Sequence, residues 1–200
     1  MGILNTIKKL FNSDNAPAEP PQTADALPDS FYMDTIEANR AEKDRFFRTS
    51  PYSPIADRLN FNGLDYYPPN PAYRFNLPLQ RAESRQPLTF QTSSGDEQLY
   101  YRLGTVSFEV DGQPAQLTIY QSDDHDELFL PFRDATSGSE TYGAGRYLEP
   151  ELHPTDQLEV DFNLAYNPFC AFSEDYSCPL PPFENHLKVA IRAGERAFKK

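Results

Sequence analysis

Along this chain the apolar positions alternate more often than they recur at every third or fourth residue, which predicts a protein built mainly of strands. Val106, Phe108 and Val110 stand two apart before an Asp111-Gly112 pair, and Leu117 and Ile119 stand two apart after it. Asp and Gly tolerate the positive φ angles of a tight turn, so the pair predicts a hairpin whose two alternating sets share one core face. The runs 87–91, 98–110, 115–121 and 127–132 read as successive strands, separated by the turn sequences SSGDE, DGQ and SDDHD. Later alternations, at Leu158, Val160 and Phe162 and at Leu187, Val189 and Ile191, predict two more strands. One helix precedes them, with Ser30 as N-cap and an end near Arg48. Its apolar elements are Phe31, Ile36, Phe46 and Phe47; Glu37 with Arg40 and Glu42 with Arg45 lie at helical reach, and the charged run 42–45 is expected to face solvent. Pro51 and Pro54 end it. The expected fold is mostly β, an antiparallel sandwich or partly open β-barrel of about 6–9 strands with one N-terminal helix packed on it.

Domain organisation follows from where periodicity stops. Residues 1–11, MGILNTIKKLF, put Ile3, Leu4, Ile7, Leu10 and Phe11 on one helical face beside Lys8 and Lys9. This is either a short amphipathic helix that contacts a membrane surface or a partner, or a frayed tail. Residues 12–29 are polar and Pro-rich, a disordered linker. Residues 30–200 form a single β-rich domain. Within it the stretch 63–79 carries prolines at 68, 69, 71 and 78, which confines it to edge strands or extended connections.

Composition narrows the partners. The 200-residue chain has a formal net charge of -12, with 30 Asp and Glu against 18 Lys and Arg. Such a surface repels phosphate backbones, so nucleic-acid binding is excluded as the leading reading. No apolar window is long enough to span a bilayer. With only 2 cysteines and no secretory signal, a reducing, cytoplasmic location is expected.

Chemistry concentrates in two segments. In FRDATSGSETYGAGRYL, residues 132–148, Gly138, Gly143 and Gly145 permit turns whose N–H groups form an anion-binding nest, while Arg133 and Arg146 offer bidentate forks. The alternative is a structural corner in which Arg133 or Arg146 pairs with Asp134 or Glu140. The stretch is neither a P-loop nor a dinucleotide fingerprint, and Ser137, with no neighbouring His, reads as a turn hydroxyl. The second segment, residues 161–195, places Asp161, Asn163, Tyr166 and Asn167 in a polar row, with Asn163 expected on the strand face of Asp161. Cys170 and Cys178 could bridge, bind metal with His153 or His186, or react. They lack the paired spacing of a zinc site, so no metal is expected, the local sequence offers no positive charge to hold a thiolate, and burial among apolar groups is their default.

FRDATSG with TYGAGRYL, DFNLAYNPFCAFSEDYSCPLPPFEN and VAIRAGE, together with RAEKDRFFR and NGLDYYPPNPAYRF, resemble a bacterial and archaeal family known as domain of unknown function 1684, over about residues 30–195. The resemblance implies a β-rich fold and the domain boundary, and no reaction, cofactor or catalytic residue. His186 stands where that pattern would place a basic residue.

The chemical reading is a domain, acting as a binding protein or an enzyme, that takes a small anionic ligand. Its site is Arg133, Ser137, Gly138, Tyr142, Gly143, Arg146, Tyr147, Asn163 and Asn167. The competing readings are a small flavin-binding barrel with its phosphate on the same arginines, by analogy of fold size alone, and a structural or interaction module without a small ligand.

Overall fold

The computed structural model describes residues 29–122 and 128–198. The expectations for residues 1–28 and for the turn at 123–127, including His125, lie outside them. The chain runs through α1 (Asp29–Thr49), β1 (Arg74–Pro78), β2 (Gln80–Arg81), β3 (Pro87–Gln91), β4 (Glu97–Val110), β5 (Gln113–Ser122), β6 (Leu128–Phe132), β7 (Arg146–Leu148), β8 (Glu151–Leu152) and β9 (Gln157–Asp161). All strand pairs are antiparallel. One sheet has the order β1-β9-β8, and the other β2-β4-β5-β6-β7 with β3 paired on β4. The long β4 is shared: β2 pairs with it at Gly104 and Thr105, and β3 pairs with it from Glu97 to Tyr101.

The hairpin forms where the pattern puts it. Asp111 and Gly112 adopt φ of 51° and 72°, and the flanking register sets Val110 opposite Gln113 and Val106 opposite Leu117. Leu77 of β1 and Leu158 and Val160 of β9 meet Val106, Phe108, Leu117, Ile119, Leu130 and Phe132 from the larger sheet in one core. The architecture is thus two facing antiparallel sheets, mostly β, with no closed barrel. Proline confines β1 to an edge, as expected.

Two expectations change. Residues 187–191 are not a strand, although Val189 and Ile191 are buried in the core. The segment runs parallel beside Arg133–Ala135 as an isolated bridge and not as a ladder, with bonds from Arg133 N–H to the Asn185 carbonyl at 3.0 Å, from Leu187 N–H to the Arg133 carbonyl at 2.8 Å and from Ala135 N–H to the Val189 carbonyl at 3.0 Å. In α1 the inward stripe is Tyr32, Ile36, Arg40 and Phe47, while Phe31 and Phe46 are exposed. Ser30 lies inside the first turn rather than capping it. The helical pairs Arg40–Glu37 at 3.3 Å and Arg45–Glu42 at 3.0 Å are present. Yet Lys43 and Asp44 of the supposedly solvated run turn inward, toward Glu195 and the Leu64 N–H. Phe47 anchors a second cluster with Ile55, Phe61, Ala171 and Phe172.

Candidate functional site

The corner between β6 and β7 is organised by a buried carboxylate. Asp134 accepts from Thr136 Oγ1 at 2.9 Å, from Ser137 Oγ at 3.2 Å and from Ile191 N–H at 2.6 Å. The Thr136 carbonyl takes the N–H groups of Ser139, Glu140 and Thr141, and Gly138 N–H goes to the Thr141 carbonyl at 2.9 Å. With Gly145 N–H bonded to the Tyr142 carbonyl at 3.1 Å, two donors of the expected anion nest, Gly138 and Gly145, are engaged inside the loop. Gly138 and Gly143 face each other across it, and Ser137 accepts from Asp134 N–H, as a turn hydroxyl does.

Arg146 follows the same logic. It is 1 % exposed, lies 3.6 Å from Asp134, and donates to the carbonyls of Ile191 at 2.8 Å, Glu195 at 3.1 Å and Ala193. Burial lowers its pKa, opposed first by the Asp134 charge. A guanidinium with five fixed donors is suited to gathering several carbonyls at once, and here those carbonyls belong to the protein. Arg133 is half-buried, its backbone bonded to Asn185 and Leu187. Asn185, fully buried, bridges the gap where β5 and β6 diverge: it donates to the Thr118 and Pro131 carbonyls at 2.9 and 2.8 Å and accepts from Thr118 N–H at 2.8 Å.

Asn163 does not share a strand face with Asp161, because the chain leaves β9 in a 3-10 turn at Phe162–Leu164 that Asp161 caps. Asp161, Asn163 and Asn167 of the polar row are buried: Asp161 accepts from the Tyr32 hydroxyl at 2.6 Å, and Asn163 donates to Tyr32 and to the Asn70 carbonyl. Tyr147 and Tyr166 pair across a bridge, so the two dense segments do meet. Arg146 also reaches the Glu195 carbonyl, and the Glu195 carboxylate accepts from Asn167 N–H at 2.8 Å and pairs with Lys43 of α1. Burial raises the Glu195 pKa, opposed by Lys43. Gly194, just before it, needs its lack of side chain: at φ of 73° a Cβ would stand 2.5 Å from the Ala165 carbonyl.

Between α1 and this segment lies a second polar group. The Arg40 guanidinium stacks 4.6 Å above the Tyr66 ring, and Lys43 Nζ stands 4.9 Å from the Tyr166 ring centre. Arg40 Nε and Nη2, Tyr66 Oη and Asn167 Oδ1 are buried without a hydrogen-bond partner among the described residues. Burial, then the Glu195 and Asp44 charges, push the Tyr66 hydroxyl pKa up. The run from 32 to 47 reads as a helical face only when Arg40 and Lys43 are counted as inward-facing. Treating charge as solvated is what concealed them.

Tyr142 reaches a different place. Its hydroxyl donates to Cys170 Sγ at 3.8 Å, and burial raises its pKa to about 12. Cys170 N–H in turn donates to Cys178 Sγ at 3.4 Å. A cleft of about 720 Å³ nearby is lined by Ile55, Phe61, Phe172 and Phe198, with Asp57, Glu174 and Asp175 at its edge. Its apolar walls and acidic edge do not suit an anion.

The family model described as protein of unknown function (DUF1684) matches residues 59–196. The solution NMR structure of an uncharacterized protein of Haloarcula marismortui is 41% identical, with a TM-score of 0.64, over 84% of this chain and 95% of that one. No curated protein matches the chain.

Proposed function

The chain belongs to the DUF1684 family, and from that premise, which supplies membership and no reaction, we propose that it is a cytoplasmic β-domain that binds a small anionic molecule between α1 and the C-terminal segment. The observation that supports this most is Arg40, buried with Nε and Nη2 unpartnered. A buried donor without an acceptor costs about 1–3 kcal/mol, more for a charged group. The oxygens of a carboxylate or phosphate would recover that cost. Tyr66 Oη adds a third unpartnered donor, and the Lys43 side chain, 27% exposed, stands at the edge of the group. Asn167 of the sequence-derived set borders the group and takes part indirectly, its N–H holding the Glu195 carboxylate at 2.8 Å. Arg146 acts from behind, fixing the segment that carries Glu195. Of the two arginines that the flavin alternative would use, Arg146 is engaged with protein carbonyls. Among the described residues no helix is long and apolar enough to cross a membrane.

Inorganic phosphate and citrate, each compared with chloride at matched ionic strength, are the first probes, read as thermal shifts. At a hundredfold excess over Kd, mass action gives about 2.7 kcal/mol of stabilisation. The expected result is a shift in the wild-type protein, its loss in Arg40→Ala, and a weaker shift in Tyr66→Phe, which removes an unpartnered hydroxyl and leaves unliganded stability near wild type. Absence of any shift beyond chloride, or a full shift in Arg40→Ala, overturns the reading.

A further inference from the structure

We propose that Cys170 and Cys178 are a hydroperoxide-sensitive dithiol that closes reversibly into an intramolecular disulfide. The inference stands apart from the anion site and rests on geometry that neither the family name nor the sequence supplies.

The two thiols differ in the way such a pair requires. Cys170 is half-buried in a short turn, Phe169–Ala171, and Cys178 is buried. Cys170 N–H reaches Cys178 Sγ at 3.4 Å across a chain separation of eight residues. Cys178 is pinned to the turn after β3, donating its N–H to Ser93 Oγ at 3.1 Å and accepting Ser93 N–H at 2.9 Å through its carbonyl. The accessible sulfur is thus the attacking one and the anchored sulfur the resolving one.

The surroundings favour a thiolate at Cys170. Its pKa falls to about 6, held down first by a hydrogen bond from the Cys178 thiol and also by the Tyr142 hydroxyl, while burial opposes the fall. The same contact and burial push Cys178 up. The other titratable groups facing the pair are Tyr100 and Tyr147, both raised chiefly by burial and so neutral. Hydrogen bonds supply here what a neighbouring cation supplies at other reactive cysteines. Among the described residues no third His, Cys, Asp or Glu joins the pair in a metal-binding group.

The chemistry balances with a hydroperoxide as oxidant. The Cys170 thiolate attacks the peroxide oxygen, the O–O bond breaks, and with one proton the products are a Cys170 sulfenic acid and water or an alcohol. The Cys178 thiol then attacks the sulfenic sulfur, forming S–S and releasing water. An external dithiol reverses the step through a mixed disulfide, becoming oxidised as both protein thiols return.

The full chain is treated with hydrogen peroxide and followed by thiol titration, intact mass and non-reducing electrophoresis. The expected result is loss of both thiols together, a mass lower by two hydrogens, no covalent dimer, and full recovery with dithiothreitol. Cys178→Ser should instead yield a Cys170 sulfenic acid trapped by dimedone. Iodoacetamide labelling of reduced wild type should titrate in with a midpoint near about 6 and level off by neutral pH, where an ordinary thiol, with a pKa of about 8.5, is still mostly unreactive. Survival of both thiols, oxygen addition without pairing, or a bond between two chains overturns the proposal, and none of these outcomes depends on a variant folding.

Discussion

The β4–β5 hairpin and the segment Leu187–Glu195 bury apolar side chains in the same core, but they are held by different bonds. In the hairpin, backbone pairs backbone from Tyr100–Ser122 to Val110–Gln113, and a side chain enters at Thr118, where β6 has diverged and Asn185 takes its place. In the C-terminal segment scattered backbone bonds, such as Leu187 N–H to Arg133 and Glu195 N–H to Ala165, are supplemented by side chains where a full ladder is missing. Asp134 receives the Ile191 N–H, Arg146 gathers the carbonyls of Ile191, Ala193 and Glu195, and Asn185, just upstream, closes the gap between β5 and β6. A ladder spreads the load over many weak bonds, whereas brackets concentrate it in a few buried polar groups whose loss leaves neighbours unsatisfied.

That difference is open to direct attack. Arg146→Met keeps side-chain bulk and removes every donor, leaving three buried carbonyls and the Asp134 charge without it. It should cost about 3–5 kcal/mol in denaturant unfolding, and a cost below about 1 kcal/mol would mean that the segment is held by its backbone bonds and apolar contacts without help from Arg146. Asn185→Ala removes three bonds to β5 and β6 and should cost about 2 kcal/mol. In hydrogen exchange the loss should appear at Thr118, beside the gap, and not at Val106, deep in the ladder. Gly112→Ala tests the other side. It forces a side chain onto a φ of 72° at the hairpin turn and should cost only about 1 kcal/mol, with the ladder register retained.

The same distinction decides how much could be read from the chain. Alternation reports which face is buried, so β3, β4, β5 and β6 were legible nearly to the residue, and Asp111-Gly112 fixed their hairpin. Alternation also occurs at Leu187, Val189 and Ile191, which are buried as expected, yet it is silent on who supplies the hydrogen bonds. The richness of residues 132–148 in Arg, Asp, Thr and Gly was visible. Whether such groups face a ligand or the protein's own carbonyls depends on contacts 45–57 residues away in sequence, and those no local pattern encodes. Arg40 and Tyr66 went unnoticed for a related reason: a charge inside a helical stripe looks solvated until the surface it packs against is known. Asn167 was named from its polar row and does border the α1 group, through Glu195.

Sequence distance also sets order in time. The hairpin closes a two-residue turn, so its loop entropy is small and its contacts can form early. The Arg146 contacts span 45–49 residues, and by the same argument they should form later, once β6 and β7 have made the corner that receives the segment. Contacts formed after the rate-limiting step weigh on the exit from the native state and scarcely on the approach to it. Arg146 is therefore placed as a latch: without it the chain should fold about as fast as before, and lose its fold far sooner.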